Sequence, residues 1–200
     1  MSLSATPTLK FAGVRLEQLS HKHSADLGAI VTHGSLDQVW FTKIPSAQGM
    51  DAEISRRLAL QAEGKMAPFA IIDEHTGNAV GATTYLNISE ANRRVEIGST
   101  FLGTDFQGTG INAAAKYLLL QRAFEELGCL SVAFCTHWHN QRSRAAISRL
   151  GAKQDGVLRN HMYDASTGTL RDTVIFSILP QEWPSVRQGL LARLAQHGRL

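Results

Sequence analysis

Cysteine is almost missing from this chain: of 200 residues only Cys129 and Cys135 carry a thiol. They flank and occupy one short apolar run, which excludes a disulfide framework and predicts reduced core thiols. No apolar run approaches the ~18–20 residues of a membrane-spanning helix. The opening Met1-Ser2-Leu3-Ser4-Ala5-Thr6-Pro7 has neither a basic segment nor an apolar one, so no secretory leader is expected and the cytoplasm is the expected compartment. Charge of one sign is also scarce. Lys and Arg number 20 against 17 Asp and Glu, a net +3 that is too mild to argue for direct nucleic-acid binding. The arginines at 56, 57, 93, 94, 142, 144 and 149 read as solvated helix-face charge. Repeats, low-complexity tracts and linkers are absent too. With 44% hydrophobic residues, the chain is expected to form one domain over 1–200, its first nine residues flexible.

Against these absences stands a glycine-rich turn, Thr104-Asp105-Phe106-Gln107-Gly108-Thr109-Gly110-Ile111-Asn112. It joins a strand-like run over 95–102 to a helical pattern over 111–127. Gly108 and Gly110 lack the Cβ atoms that would block an anion, and they permit positive φ. The helix beyond offers unpaired N–H groups and its positive dipole end. The turn therefore reads as a phosphate cradle for a phosphorylated cofactor. It is no Walker loop, since the Gly-Lys-Ser/Thr ending is missing. A dinucleotide fingerprint would sit near the first strand and carry glycine where Ala113 stands. A third pattern, Arg/Gln-x-x-Gly-x-Gly/Ala, is met by Gln107 and Gly110, and Asn112 departs from it at the last position.

Periodicity places the rest. A first strand is expected at 14–17, helices at 24–33 and 50–63, strands at 68–73 and 79–88 around the turn 74–78. In the second helix Ile54, Leu58 and Ala62 mark the apolar face. The helix over 111–127 stops at Gly128. A strand at 131–136 and a helix at 140–150 follow, then strands at 157–163 and 169–179 paired across the turn 164–168. A last helix follows Pro184, with Val186, Leu190, Leu191 and Leu194 inward. A Rossmann alternation does not fit this order.

Further blocks stand in a definite order: Glu96-Ile97-Gly98, Asn140-Gln141-Arg142-Ser143, Arg149-Leu150-Gly151-Ala152, Gly156-Val157-Leu158-Arg159, Leu170-Arg171-Asp172-Thr173-Val174-Ile175-Phe176-Ser177 and Glu182-Trp183. With the loop, and over residues 14–183, they resemble the Rim-type branch of the GCN5-related N-acetyltransferases, the ribosomal-protein N-terminal acetyltransferases and their relatives. The resemblance implies an α/β fold of mixed α+β type, with a central, mostly antiparallel sheet of about seven strands, splayed at the cofactor site and flanked by helices. It implies acetyl-coenzyme A (acetyl-CoA) as cofactor and direct attack by a primary amine in a ternary complex.

On that resemblance the pantetheine arm pairs with the backbone of Thr100, Phe101 and Leu102. The pyrophosphate rests on Gln107, Gly108, Thr109, Gly110, Ile111 and Asn112, and some of the arginines meet the 3′-phosphate. Asn140 bonds the arm's amides, and Ser143, one turn on, donates to the departing sulfur in place of the tyrosine that many relatives carry near Ile147. The glutamate that some relatives hold on the next strand is replaced by Cys135. Glu96 is then the first candidate base, with Gly98 and Thr100 expected on its strand face; its structural alternative is pairing with Arg93 or Arg94. His161 is the reserve base. The expected acceptor is a protein N-terminus. A small amine or antibiotic, and a non-catalytic acyl-CoA-binding module, are the alternatives, and a homodimer stays open. His137 and His139 resemble a metal pair but lack a third ligand, so no metal is expected. Trp40, Phe41 and Trp138 are expected to line an acceptor groove or the core.

Overall fold

A computed structural model describes residues 2–165 and 167–200. Met1, and Ser166 in the turn expected at 164–168, lie outside the described residues. The strands are β1 (Leu9–Phe11), β2 (Val14–Gln18), β3 (Met66–Asp73), β4 (Ala79–Ser89), β5 (Arg94–Leu102), β6 (Ser131–His137), β7 (Lys153–Asp164) and β8 (Thr169–Ile178). The helices are α1 (Ser24–Gly34), α2 (Met50–Ala62), α3 (Ile111–Gln121), α4 (Gln141–Ser148) and α5 (Trp183–Gln196). The strands form one sheet in the order β1-β2-β3-β4-β5-β6-β8-β7. Every pairing is antiparallel except that of β5 with β6. The expected mixed fold is thus present, with eight described strands rather than about seven. The added strand, β1, is three residues long and turns into β2 through Ala12 and Gly13, both at positive φ.

Two apolar layers cover the sheet. On one face, Phe69, Ile71, Tyr85, Val95, Ile97, Phe134, Val174 and Phe176 pack with α3 and α5. On the other, Ala70, Ile72, Ala82 and Phe101 pack with Leu27 and Val31 of α1 and Ile54 of α2. Each large side chain so buried contributes about 1.5–3 kcal/mol. α3 is buried on nearly every side, from Ile111 to Leu120, because α5 covers the side turned from the sheet. Its chain continues through one π-helical turn, Arg122–Glu126, and ends at Gly128 at φ 61°. None of the described helices is long and apolar enough to cross a membrane.

The expected apolar stripe of α2 needs one correction. Ile54 is buried, but Ala62 is exposed and Arg57 is only 3% exposed. Arg57 sits three residues after Ile54 and so shares its face. The reading of Arg57 as solvated charge is overturned.

Gly81 holds the β4–β5 pair together. A Cβ there would stand 2.4 Å from the Phe101 carbonyl oxygen, a backbone atom with no room to retreat. Gly81→Ala is expected to cost about 1–3 kcal/mol in urea unfolding; an unchanged midpoint would contradict this packing.

Candidate active site

β5 and β6 are paired for three residues only, Arg94 to Ser131, Val95 to Val132 and Glu96 to Ala133. Beyond Glu96 the strands part, β6 staying with β8 while β5 stays with β4. The far half of β5 is left with one free edge. After the buried run 95–97, Ser99 and Thr100 are exposed, whereas Phe101 and Leu102 are buried again. A bulge lies here: Thr84 opposes Gly98 and Ala82 opposes Phe101, and Ser99 is at φ 46°. The extra residue reverses the alternation. Thr100 therefore turns to the α3 face and does not share the face of Glu96, contrary to the pattern expected from period two.

Two buried cations grip this bulge. From α2, Arg57 donates to Thr84 Oγ1 (3.2 Å) and to the Ser99 carbonyl (3.4 Å), its charge met by Glu53 at 2.8 Å. From α3, Lys116, 6% exposed, donates to Thr83 Oγ1 (3.2 Å) and Thr100 Oγ1 (2.9 Å). No carboxylate pairs with Lys116 among the described residues. Burial pulls its ammonium from the ordinary 10.5 down to about 7.

The glycine turn begins where the free edge ends. Thr104–Phe106 makes a short 3₁₀ turn, and the Gln107 side chain donates back to the Leu102 carbonyl at 2.7 Å. Gly108 (φ 79°) and Gly110 (φ 85°) both adopt the left-handed conformation, and Gly110 caps α3. A Cβ on Gly108 would meet nothing, whereas one on Gly110 would strike Arg199 Cδ at 2.8 Å. The C-terminal tail thus braces the loop, with Arg199 donating to the carbonyls of Thr109 (2.6 Å) and Ala12 (3.2 Å). Nothing in the sequence pattern pointed to Arg199, which lies 90 positions from its partner. Ala114 is the first α3 residue to bond back, to Gly110 at 3.0 Å, so Ile111, Asn112 and Ala113 form the open first turn.

α4 closes the other side. Asn140 caps it, Oδ1 accepting from the Ser143 N–H at 3.0 Å, and Arg142 donates to Gln107 Oε1, tying α4 to the loop. The Ser143 hydroxyl is half-buried one turn from the cap. Glu96, the last β5 residue paired with β6, accepts from Asn87 at 2.8 Å and forms no ion pair with Arg93 or Arg94 among the described residues. Glu96 is buried at 8% exposure, and a Cβ on the neighbouring Gly98 would crowd its Oε1 at 3.1 Å. Burial, together with the Glu96 charge, pushes the Cys135 thiol up to about 12, so it is no thiolate nucleophile.

On the same face, Trp40, Phe41 and His137 line a cleft with Lys43, Tyr163 and Arg171. Trp40 is 53% exposed, its ring 5.2 Å from that of His137. Trp138 lines the adjoining groove and stacks under Arg144 at 4.2 Å. Burial and the charge of Arg171 lower His137, and its Nδ1 accepts the His139 N–H at 3.1 Å. The neutral ring therefore carries its proton on Nε2, a donor and not a base. His161 lies exposed on β7, against Thr173 at 3.1 Å.

The acetyltransferase (GNAT) domain model matches residues 14–153. The chain belongs to that family. It is similar to the Bacillus subtilis protein YdaF, provisionally named a ribosomal N-acetyltransferase, at 36% identity over 109 residues, which is 54% of this chain and 58% of YdaF. The match thus spans less than two thirds of that relative. A GCN5-related N-acetyltransferase from Brucella melitensis superposes with a TM-score of 0.85 at 28% identity, over 95% of this chain and 86% of that one. Mycobacterium smegmatis RimJ, solved with CoA-disulfide, shares the fold at a TM-score of 0.79 and 23% identity, over 100% and 98% of the two chains.

The family's cofactor is acetyl-CoA, and the residues present fit it. The free β5 edge, the uncovered Gly108 and the open first turn of α3 follow one another in the order that arm and pyrophosphate require.

The Lys116 shift has a sign that can be measured. A lysine with a lowered folded value binds fewer protons folded than unfolded, so stability rises as pH climbs from about 7 towards 10.5. Urea unfolding across this range is expected to show that rise in the wild type and to show it reduced in Lys116→Met. Parallel pH profiles would contradict the buried, unpaired ammonium.

Proposed function

We propose that this chain is an acetyl-CoA-dependent N-acetyltransferase whose acceptor is a protein N-terminus, reached in the expected cytoplasm by one catalytic domain. The observation that carries the reading is the free edge of β5 running directly into the glycine turn at the start of α3. Bound there, acetyl-CoA supplies an acyl group already activated as a thioester.

The chain's own groups do the rest. The backbone of Thr100, Phe101 and Leu102 pairs with the arm, and the N–H groups of Gly108, Thr109, Gly110, Ile111 and Asn112 receive the pyrophosphate. The Asn140 amide nitrogen stays available for the arm, because only Oδ1 is used in the cap. Ser143 donates to the leaving sulfur. Glu96 Oε1 takes the amine's proton, directly or through water, from the mouth of the splay. With Cys135 held as a thiol, direct attack is favoured over a thiol-borne acyl group.

The cleft's charges bear on the acceptor. Lys43, Arg171 and one carboxylate, Asp164, line it, and Asp172 in the adjoining groove is held by Arg159 at 2.5 Å and the Asn160 N–H at 2.8 Å. A polyamine or amino-antibiotic needs several carboxylates, and two cations against one carboxylate in the cleft disfavour a polycation. One amine followed by an extended backbone suits an open, aromatic-lined cleft. The name given to YdaF points the same way.

Thiol release from acetyl-CoA is expected with peptides bearing free N-termini and not with polyamines or aminoglycosides; the reverse pattern would reject the acceptor assignment. Ser143→Ala is expected to lower kcat by about ten- to a thousandfold, and unchanged turnover would remove Ser143 from the reaction. Glu96→Gln is expected to lower kcat/KM at neutral pH with partial recovery in alkali. The same ratio to wild type at every pH would assign Glu96 to structure.

A further inference from the structure

The splay needs more than a bulge. A strand that leaves its neighbour exposes backbone groups and loses the ladder that kept them in line. Nothing intrinsic to Ser99 stabilises its left-handed conformation, which a residue with a Cβ adopts at a cost of about 1–3 kcal/mol unless its surroundings fix it. The two surroundings that touch this point are cationic. On the α2 face, Arg57 spans Thr84 and the Ser99 carbonyl; on the α3 face, Lys116 spans Thr83 and Thr100. Thr83 and Thr84 are adjacent on β4, fully buried, and point to opposite faces, each opposite the bulge. Thr100 in turn reaches the Gly98 carbonyl at 3.3 Å and the Thr83 hydroxyl at 2.8 Å.

We propose that Lys116 and Arg57 act as a two-sided clamp on the β5 bulge, and that Lys116 is a positioning residue that aligns the backbone of Thr100 and Phe101 for the acyl cofactor.

The two halves differ in what they cost. Arg57 is neutralised by Glu53, an ordinary ion pair that a core can hold. Among the described residues Lys116 has only hydroxyl partners, so its burial opposes folding, and the lowered ammonium registers that opposition. A methionine of similar length would pack the same space without that opposition. An amine retained there against stability, one hydroxyl away from the exposed edge of β5, is what a role in site geometry requires. Among the described residues, no hydrogen bond joins Lys116 to the glycine turn and it does not line the aromatic cleft. Its effect should therefore fall on the cofactor and leave acceptor recognition alone.

The inference rests on the acetyl-CoA reading for its functional arm, and the test has a second arm that does not. In the free protein, amide hydrogen exchange at Ser99, Thr100 and Phe101 is expected to quicken at least about tenfold in Lys116→Met, with the melting temperature kept or raised. Calorimetry is expected to show acetyl-CoA binding weakened by about ten- to a hundredfold, the scale of one lost charged hydrogen bond, while the acceptor KM changes less than about twofold. Thr100→Val, which keeps the backbone and removes the hydroxyl, should reproduce both effects and add little in the double variant. It decides the matter if Lys116→Met fails to fold. Unchanged exchange and unchanged cofactor affinity in a folded variant would overturn the clamp. A wild type that does not bind acetyl-CoA would reject the proposed function, leaving the exchange comparison to judge the clamp by itself.

Discussion

The parting of β5 from β6 after three residues of pairing is the constraint on which the remaining structure depends. A parallel pair in mid-sheet is ordinarily continued, because each unpaired backbone group away from water is expensive. Here the ladder stops at Glu96, and the residues beyond it have no strand partner on that side. The chain then runs straight into a turn where, among the described residues, the N–H groups of 108–113 donate to no backbone carbonyl. One continuous line of backbone donors and acceptors results, and an extended amide-bearing ligand with a phosphate end is its natural complement.

Rigidity on both sides keeps that line in place. α3 is buried between the sheet and α5, so the turn at its N-terminus is fixed to the larger core. The last residues of the chain return to brace it, and the missing Cβ of Gly110 makes the close approach of Arg199 possible. Across the opening, α4 is joined to the loop through Arg142 and Gln107. The cleft takes in His137 at the end of β6, and Glu96 is where the pairing of β5 with β6 stops.

Much of this is legible in the sequence where local chemistry decides it. The glycines at 108 and 110, the caps at Asn140 and Gly128, and the helix over 111–127 follow from φ preference, capping and period. β1 is not legible, since three residues carry no usable alternation. Nor is the bulge: serine is an uncommon left-handed residue, and the resulting reversal of Thr100 cannot be read from period two. Arg57 and Lys116 look like ordinary helix-surface cations, because in a helical pattern charge argues for solvent. Only the pairing of β4 with β5 reveals two adjacent threonines that can accept from them on opposite faces. Arg199 is hidden for a different reason, as its contacts with Thr109 and Ala12 lie 90 and 187 positions away.

The most direct test of the central claim is an amide titration of the isotopically labelled protein with acetyl-CoA. The account predicts that the resonances of Thr100, Phe101 and Leu102 and those of Gly108, Thr109 and Gly110 shift together along one saturation curve. Resonances of β7, at the far edge of the sheet, should stay in place. If the glycine-turn amides respond while the β5 amides do not, the free edge is not where the arm binds. The splay would then have to be explained without the cofactor.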